Sequence, residues 1–137
     1  MPLVQNDTQG IIARKRLEAW AAKEEKVTVV AAADEATTQS AATLAGAAEV
    51  VYTMTPTAGR ALTTPTGAQL GAAFTDEVVG SSFRFTVVNL AASTHAITLT
   101  AGASGVTLVG SATVAAASSA SFVAVFTAAD AVSIYRK

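Results

Sequence analysis

Apolar and polar positions alternate along this chain from residue 82 to its C terminus. Alternation with a period of two residues predicts strands in the short runs FRFTVVN, HAITLT, GVTLVG, ASFVAVFT and AVSIYR. Gly102, Gly105 and Gly110 lie beside these runs and predict turns. Short strands separated by turns at this spacing are typical of β-sandwiches and barrels. The sequence therefore predicts a mainly β fold whose body is an antiparallel β-sandwich or barrel.

The N-terminal part of the chain has a helical pattern and a high density of charges. Asn6, Asp7 or Thr8 can cap a helix that would run from about residue 9 to residue 25. An amphipathic helix of this length is marginal alone, so it is expected to dock on its own body or on a partner. The predicted organisation is an N-terminal arm with a helix in residues 1–35 and a β-rich body in residues 36–137. The weak apolar stripe of the predicted helix consists of Ile12, Ala13, Leu17, Trp20 and Ala21.

The segment between these two patterns predicts a mixture of elements. Residues 27–32 are predicted as a strand or as the end of the arm, and Glu49–Met54 as a strand. Residues 34–48, rich in Ala, Thr and Ser, fit either a helix or a loop. Pro65 in a first turn capped by Thr64 predicts one short helix through GAQLGAAF.

Residues 85–129 contain no Asp, Glu, Lys or Arg, and His95 is the only ionisable side chain in that stretch. Charged residues are normally about a quarter of a soluble sequence, so a gap of this length is unusual. Thr, Ser, Gly and Asn interrupt the stretch too often for a membrane-spanning helix, and no membrane partner is expected. A charge-poor β-structure with a mean hydropathy of +0.44 is expected to press against copies of itself or against a larger partner.

The sequence offers little catalytic or ligand-binding chemistry, so the protein is not expected to be an enzyme. The chain has one histidine and no cysteine, and its serines lie in no GxSxG motif. The adjacent carboxylates Glu24–Glu25, Asp34–Glu35 and Asp76–Glu77 diverge in a strand or a helix and make poor acid–base pairs. No catalytic, metal or cofactor site is expected. A net charge of −1 and a pI of about 5.7 give no general attraction to nucleic acid, and no sequence-specific nucleic-acid partner is expected.

An ordered series of motifs runs through residues 61–137: TPTGAQL, GSSFRFTVVN, ITLTAGASGVTLVG, TVAAASSASF and VSIYR. This series resembles a small β-domain common in tailed-phage virion proteins. Such domains occur on capsid decoration (cement) proteins and at the ends of fibre or head-associated proteins, typically as trimeric β-sandwiches. The resemblance implies a structural virion protein, made in the host cytoplasm and located on the capsid surface. The lack of a signal-peptide pattern at the start and the absence of cysteine fit that expectation.

A decoration protein would bind between major capsid subunits as a homotrimer and stabilise the expanded shell. Its N-terminal arm would contact the capsid through Arg14, Lys15, Arg16 and Trp20. The three basic residues fit a contact with nucleic acid or with an acidic capsid surface, but the balancing charges of Glu18, Glu24 and Glu25 favour a solvated helix face. Trp20 fits two roles equally well, packing the arm on its own body or filling a pocket of the partner.

The alternative function is a fibre-tip or head-associated receptor-binding module. It would use exposed loops, such as residues 90–94 or 115–119, to meet host glycans. The aromatic content argues against this function, because sugar-binding faces usually need exposed Trp or Tyr, and only Trp20, Tyr52 and Tyr135 are available.

Overall fold

The computed structural model describes residues 25–137, which form two mixed β-sheets and two short helices. The prediction of a mainly β chain with a short helix is confirmed. The predicted helix over residues 9–25 lies outside the described residues, apart from Glu25. The strands are β1 (Val27–Ala31), β2 (Thr37–Thr38), β3 (Glu49–Met54), β4 (Arg60–Thr63), β5 (Ser82–Asn89), β6 (Ile97–Thr100), β7 (Val106–Val109), β8 (Thr113–Val114), β9 (Ser118–Ala128) and β10 (Ala131–Arg136). The helices are α1 (Ala41–Ala45) and α2 (Gly67–Ala73).

From β1 to β9, consecutive strands alternate between the two sheets. The larger sheet has the order β1-β3-β5-β9-β10-β7, and the smaller has the order β2-β4-β6-β8. Since the chain visits the other sheet before each return, β1, β3 and β5 run parallel, and so do β2, β4 and β6. The prediction of an antiparallel body is wrong in this respect. Within the described part of the chain, antiparallel pairing joins β5 to β9, β9 to β10 and β6 to β8.

One hydrophobic cluster includes side chains from both sheets and both helices. The predicted alternation holds, because Phe83, Phe85 and Val87 of β5 are buried while Arg84 is exposed. The Phe85 ring stacks on Phe122 of the neighbouring strand, with the ring centroids 5.1 Å apart. Burial of one such side chain contributes about 1.5–3 kcal/mol relative to its exposure, so this alternation fixes which face of β5 turns inward.

Side-chain caps define the N-terminal ends of both helices. The Ser40 hydroxyl accepts a hydrogen bond from the Thr43 amide at the start of α1. Thr66 and Gln69 form a capping box at α2, with the Thr66 hydroxyl and the Gln69 side-chain oxygen accepting from each other's backbone N–H. The predicted cap at Thr64 is wrong, because its hydroxyl accepts from the Gly102 amide instead. The helix therefore begins two residues later than the proline pattern indicates.

Other local predictions meet mixed outcomes. Residues 27–32, predicted as a strand or as the end of the arm, contain strand β1, which pairs with β3. The short strand β4 was not predicted, because its four residues show little alternation. His95 is half-buried and precedes β6, whereas the sequence pattern placed it inside a strand. In β9, Phe122 and Phe126 are buried and Val123 is half-buried, so the strand is covered mainly on one face.

Candidate functional site

The outer face of the six-stranded sheet is broad and carries few charges. Its residues lie in register across the strands, and the longest row crosses the whole sheet: Val27, Glu49, Arg84, Val123, Tyr135 and Val109. The next row is formed by Val29, Val51, Thr86 and Ser121, and a third by Ala31, Thr53, Val88 and Ser119. Glu49 and Arg84 are the charged residues in these three rows, and they are direct neighbours. The other residues of these three rows are Val, Ala, Thr, Ser and Tyr, and Lys137 lies beside the end of the second row, where its amide donates to the Ser121 carbonyl.

A chain of short polar contacts links the middle of this face. The Thr86 hydroxyl donates to the Glu49 carboxylate at 2.5 Å, and it lies 3.1 Å from the Ser121 hydroxyl. These contacts connect β3, β5 and β9 on the outer side of the sheet. The Glu49 carboxylate is therefore partly satisfied within the sheet, which reduces the cost of covering it with a partner.

Exposed apolar side chains lie at both edges of the same face. Val27 and Val29 of β1 are 58% and 66% exposed, and Val109 and Tyr135 are exposed at the opposite edge. On either side of β1, the Lys26 carbonyl accepts from the Ala48 amide and the Ala32 amide donates to the Thr53 carbonyl of β3. Since strand residues alternate, the backbone groups of Val27, Val29 and Ala31 point away from β3, and no strand of residues 25–137 pairs with them.

Asn89 organises the loops at the end of β5. Its side-chain amide donates to the His95 carbonyl at 2.8 Å and to the Val114 carbonyl at 3.0 Å. Its side-chain oxygen accepts from the Ala91 amide at 3.0 Å. Asn89 is buried, so one side chain holds together the start of β6 and the end of β8, beside the two loops that the sequence suggested as a receptor-binding surface.

An ion pair between Asp34 and Arg60 joins two other loops of the described chain. The Asp34 carboxylate accepts from the Arg60 Nε at 2.6 Å and from the Thr57 hydroxyl at 2.5 Å and amide at 3.1 Å. The hydrogen bond from Arg60, followed by those from Thr57, holds the pKa of Asp34 well below its usual range. The same contact with Asp34 raises the pKa of Arg60. The cluster fastens the β1–β2 loop to the β3–β4 connection.

Two buried polar side chains within residues 25–137 lack hydrogen-bond partners. Gln39 lines a cavity of about 490 Å³ together with Thr38, Ser40, Ala41, Gln69, Ala72 and Ala73. The cavity is wide open to solvent, whereas both polar atoms of the Gln39 amide are inaccessible, so the amide is not presented to a ligand there. The Tyr52 hydroxyl is likewise buried without a partner, and its burial raises the pKa of Tyr52 to about 12.

Residues 25–137 contain no group of three His, Asp or Glu side chains that could hold a metal ion. None of the helices in this part of the chain is long and apolar enough to cross a membrane. The arrangement can bind through surfaces, and its polar clusters serve loops and helix caps.

The contact residues predicted from the sequence, Arg14, Lys15, Arg16 and Trp20, lie outside the described residues. Sequence reasoning missed the rows on the outer face, because residues from six strands meet only through the register of the whole sheet, which combines parallel and antiparallel pairs. The signal that could have indicated this face is the charge gap over residues 85–129, which supplies β9 and most of β5.

Comparisons with protein-family models, with curated proteins and with solved structures found no match for this chain. The fold defines a mainly β protein of two mixed sheets, one of which presents a charge-poor outer face.

Proposed function

We propose that this protein is a structural virion protein, a capsid decoration (cement) protein that binds between major capsid subunits and stabilises the expanded shell. The observation that carries the proposal is the outer face of the six-stranded sheet, where three rows contain the neighbouring charges Glu49 and Arg84 and otherwise neutral side chains. Exposed charges normally keep such faces apart in solution. A face with few charges suits permanent contact with other chains.

The proposed assembly is a homotrimer of a β-sandwich or barrel body. Copies would cover part of the apolar outer face, including Val27 and Val29 at one edge and Tyr135 at the other. The remaining surface and the N-terminal arm, with Arg14, Lys15, Arg16 and Trp20, would contact the major capsid protein. A trimer at a threefold position contacts several capsid subunits at once. Its overall affinity for the shell is therefore higher than the affinity of one contact alone.

The proposed mechanism is stabilisation by linkage. A ligand that binds the assembled shell but not its separate subunits shifts the equilibrium toward the shell, and the shift grows with its concentration. No chemical step is needed, which agrees with polar clusters that fasten loops rather than face an open cleft. The protein would act on the virion surface after its synthesis in the host cytoplasm.

The proposal is tested by the binding of the purified full chain to empty expanded shells made from the major capsid protein of the phage that encodes it. Light scattering first gives the native mass, for which we expect three times the 13.8 kDa of one chain. Val29→Lys places a charge on the outer face, and Thr98→Lys places the same charge on an exposed position of the smaller sheet. We expect Val29→Lys to break the trimer or to abolish binding, and Thr98→Lys to retain both.

Shells that bind no wild-type chain would overturn the decoration function. Deletion of residues 1–26 separates the two contact regions. Loss of shell binding with the trimer intact supports the capsid role of the arm. Unchanged shell binding refutes that role and leaves the sheet face as the contact.

A second candidate function, a fibre-tip or head-associated receptor-binding module, is favoured by the Asn89 contacts. They fix the start of β6 and the end of β8, so residues 90–94 and 115–119 have a defined base. Leu90 is 54% exposed in the first of these loops. In this function, Leu90→Ser would reduce attachment to host cells and leave shell binding unchanged, as a cell-binding assay would measure.

A further inference from the structure

Val78 and Val79 form an exposed apolar knob on the connection between α2 and β5. Their side chains are 70% and 72% exposed, more than any other large hydrophobic residue of the described chain. They stand on a four-residue turn in which the Ser81 amide donates to the Val78 carbonyl at 2.9 Å. The Ser81 hydroxyl accepts from the Val78 amide at 3.0 Å, and Gly80 supplies the left-handed φ of 95° that such a turn needs at its third position.

The knob is anchored to the body, so its exposure is built into the fold. The Gly80 amide donates to the Phe126 carbonyl at 2.8 Å, and the Phe126 amide donates to the Ser81 carbonyl at 2.9 Å. Next to the turn, Phe126 packs with Phe83, with ring centroids 6.2 Å apart. A fixed turn holds the two valines in water. Contact with an apolar group would lower the free energy, because the hydration of each exposed methyl group is unfavourable.

The geometry of the larger sheet brings the N-terminal segment to this knob. Strands β1 and β5 run parallel on either side of β3, and Val27 and Arg84 lie in one row. The chain before β1 therefore leaves the sheet at the end where the Val78–Ser81 turn enters β5. Two strand spacings, about 10 Å, separate Val27 of β1 from Arg84 of β5, and β5 begins two residues before Arg84. Trp20 is seven residues before Val27, a reach of about 10 Å in a helix and more in an extended chain.

The chemistry of the two segments is complementary. Asp76 and Glu77 directly precede the valines, so the knob is apolar with an acidic border. In the helix that the sequence predicts, Arg16 and Trp20 are four residues apart and share one face. An indole can cover two valine side chains while a guanidinium four residues earlier pairs with a carboxylate.

We propose that Trp20 packs on Val78 and Val79 of its own chain, with Arg16 facing Asp76 and Glu77. The covalent link favours this occupant, since a short tether gives an effective concentration of about millimolar, above that of a separate partner. This arrangement takes Arg16 and Trp20 out of the capsid contact proposed above and leaves Arg14 and Lys15 available for it. This inference concerns the isolated chain and does not rest on the decoration function. It means that the arm is positioned on the body before any partner arrives.

Trp20 is the only tryptophan, so its fluorescence in the intact full chain reports the contact directly. We expect a blue-shifted emission in the wild type and weak quenching by acrylamide. The double substitution Val78→Ser with Val79→Ser should shift the emission to the red and raise the quenching constant several-fold. The matched control is Leu90→Ser, an apolar position that is 54% exposed and lies beyond the opposite end of β5, and it should change neither signal. Circular dichroism confirms that all variants fold.

Three results would overturn the proposal. The first is a wild-type Trp20 that acrylamide quenches as strongly as a fully exposed tryptophan. The second is protection that survives the double substitution, which would place Trp20 on another surface. The third uses mixed oligomers of a Trp20→Phe chain with an intact knob and a Trp20 chain with both valines replaced, where protection of the tryptophan would show docking on a neighbouring copy. An increase in quenching with added salt, lost in Asp76→Asn with Glu77→Gln, would support the assigned role of Arg16.

Discussion

The Asp34 carboxylate and the Arg60 guanidinium are in direct contact, 2.6 Å apart, although the two residues belong to different turns of the chain. Asp34 lies between β1 and β2, and Arg60 begins β4. With the two hydrogen bonds from Thr57, the contact joins the β1–β2 loop to the β3–β4 connection. It is exposed to solvent, so its effect is expected to depend on pH and on salt.

This contact predicts a specific loss of stability in acid. Hydrogen bonds from Arg60 and Thr57 lower the pKa of Asp34 in the folded chain, whereas the unfolded carboxyl titrates near pH 4. The stabilisation is therefore complete above about pH 4 and declines as the pH falls toward the lowered pKa. Asp34→Asn should reduce the melting temperature at pH 7, and the difference from the wild type should shrink below about pH 4.

Glu35→Gln is the matched control for this prediction. It removes the same charge one residue later, without touching the bonds to Arg60 and Thr57. Thermal unfolding followed by circular dichroism from pH 7 to pH 2 makes the measurement. Equal pH profiles for Asp34→Asn and the wild type would contradict the assigned role of the carboxylate.

Asn89 predicts a large effect from a small change. Asn89→Ala removes the partners of the His95 and Val114 carbonyls and of the Ala91 amide in a buried setting. Since each unsatisfied buried group costs about 1–3 kcal/mol, we expect a loss of at least about 2 kcal/mol in the free energy of unfolding. Urea denaturation measures it. Thr98→Ala, on an exposed strand position, should cost less than about 0.5 kcal/mol.

Removal of the Tyr52 hydroxyl, unlike removal of the Asn89 amide, is not expected to destabilise the protein. Its buried hydroxyl has no partner, so Tyr52→Phe should leave the free energy of unfolding unchanged or raise it by about 1 kcal/mol at pH 7. Burial raises the folded pKa to about 12, whereas an unfolded tyrosine ionises near pH 10. Ionisation of the unfolded chain therefore leaves the free energy of unfolding unchanged below about pH 10 and lowers it as the pH rises to about 12.

The phenylalanine variant should therefore lose less stability than the wild type between pH 10 and pH 12. Chemical denaturation across that range provides the comparison. A marked destabilisation of Tyr52→Phe at pH 7 would mean that the hydroxyl does have a stabilising partner.

The packing around Gly67 leaves no room for a methyl group. A Cβ there would collide with the Asp130 carbonyl and lie 2.8 Å from the Gly105 carbonyl. We expect Gly67→Ala to cost about 1–3 kcal/mol, because both obstacles are backbone atoms of packed turns. Gly59 meets nothing within 4 Å, so Gly59→Ala should be neutral or slightly stabilising. Equal unfolding midpoints for the two variants would contradict the close packing of α2.

Strand positions followed from the sequence, whereas strand directions did not. Burial alternates in β5 and β10 as the pattern of apolar residues predicts, because period two is set by the geometry of one strand. Alternation is the same for parallel and antiparallel neighbours, so the parallel β1-β3-β5 group was missed. The contacts of Asp34 with Arg60 join residues 26 positions apart, which no local pattern reveals. The charge gap indicated an association surface without placing it on one sheet.

The alternation of strands between the sheets also makes the chain modular. Strands β1 and β2 form the first of three successive crossings, and each crossing adds one parallel strand to each sheet. Both strands are at an edge, so this crossing can be removed or duplicated without threading the chain through the rest of the fold. Insertion of a second copy of residues 27–48 would extend both sheets by one strand at the same end. Evolution can thus lengthen the outer face in steps of one crossing, with the core of β5, β9 and β10 unchanged.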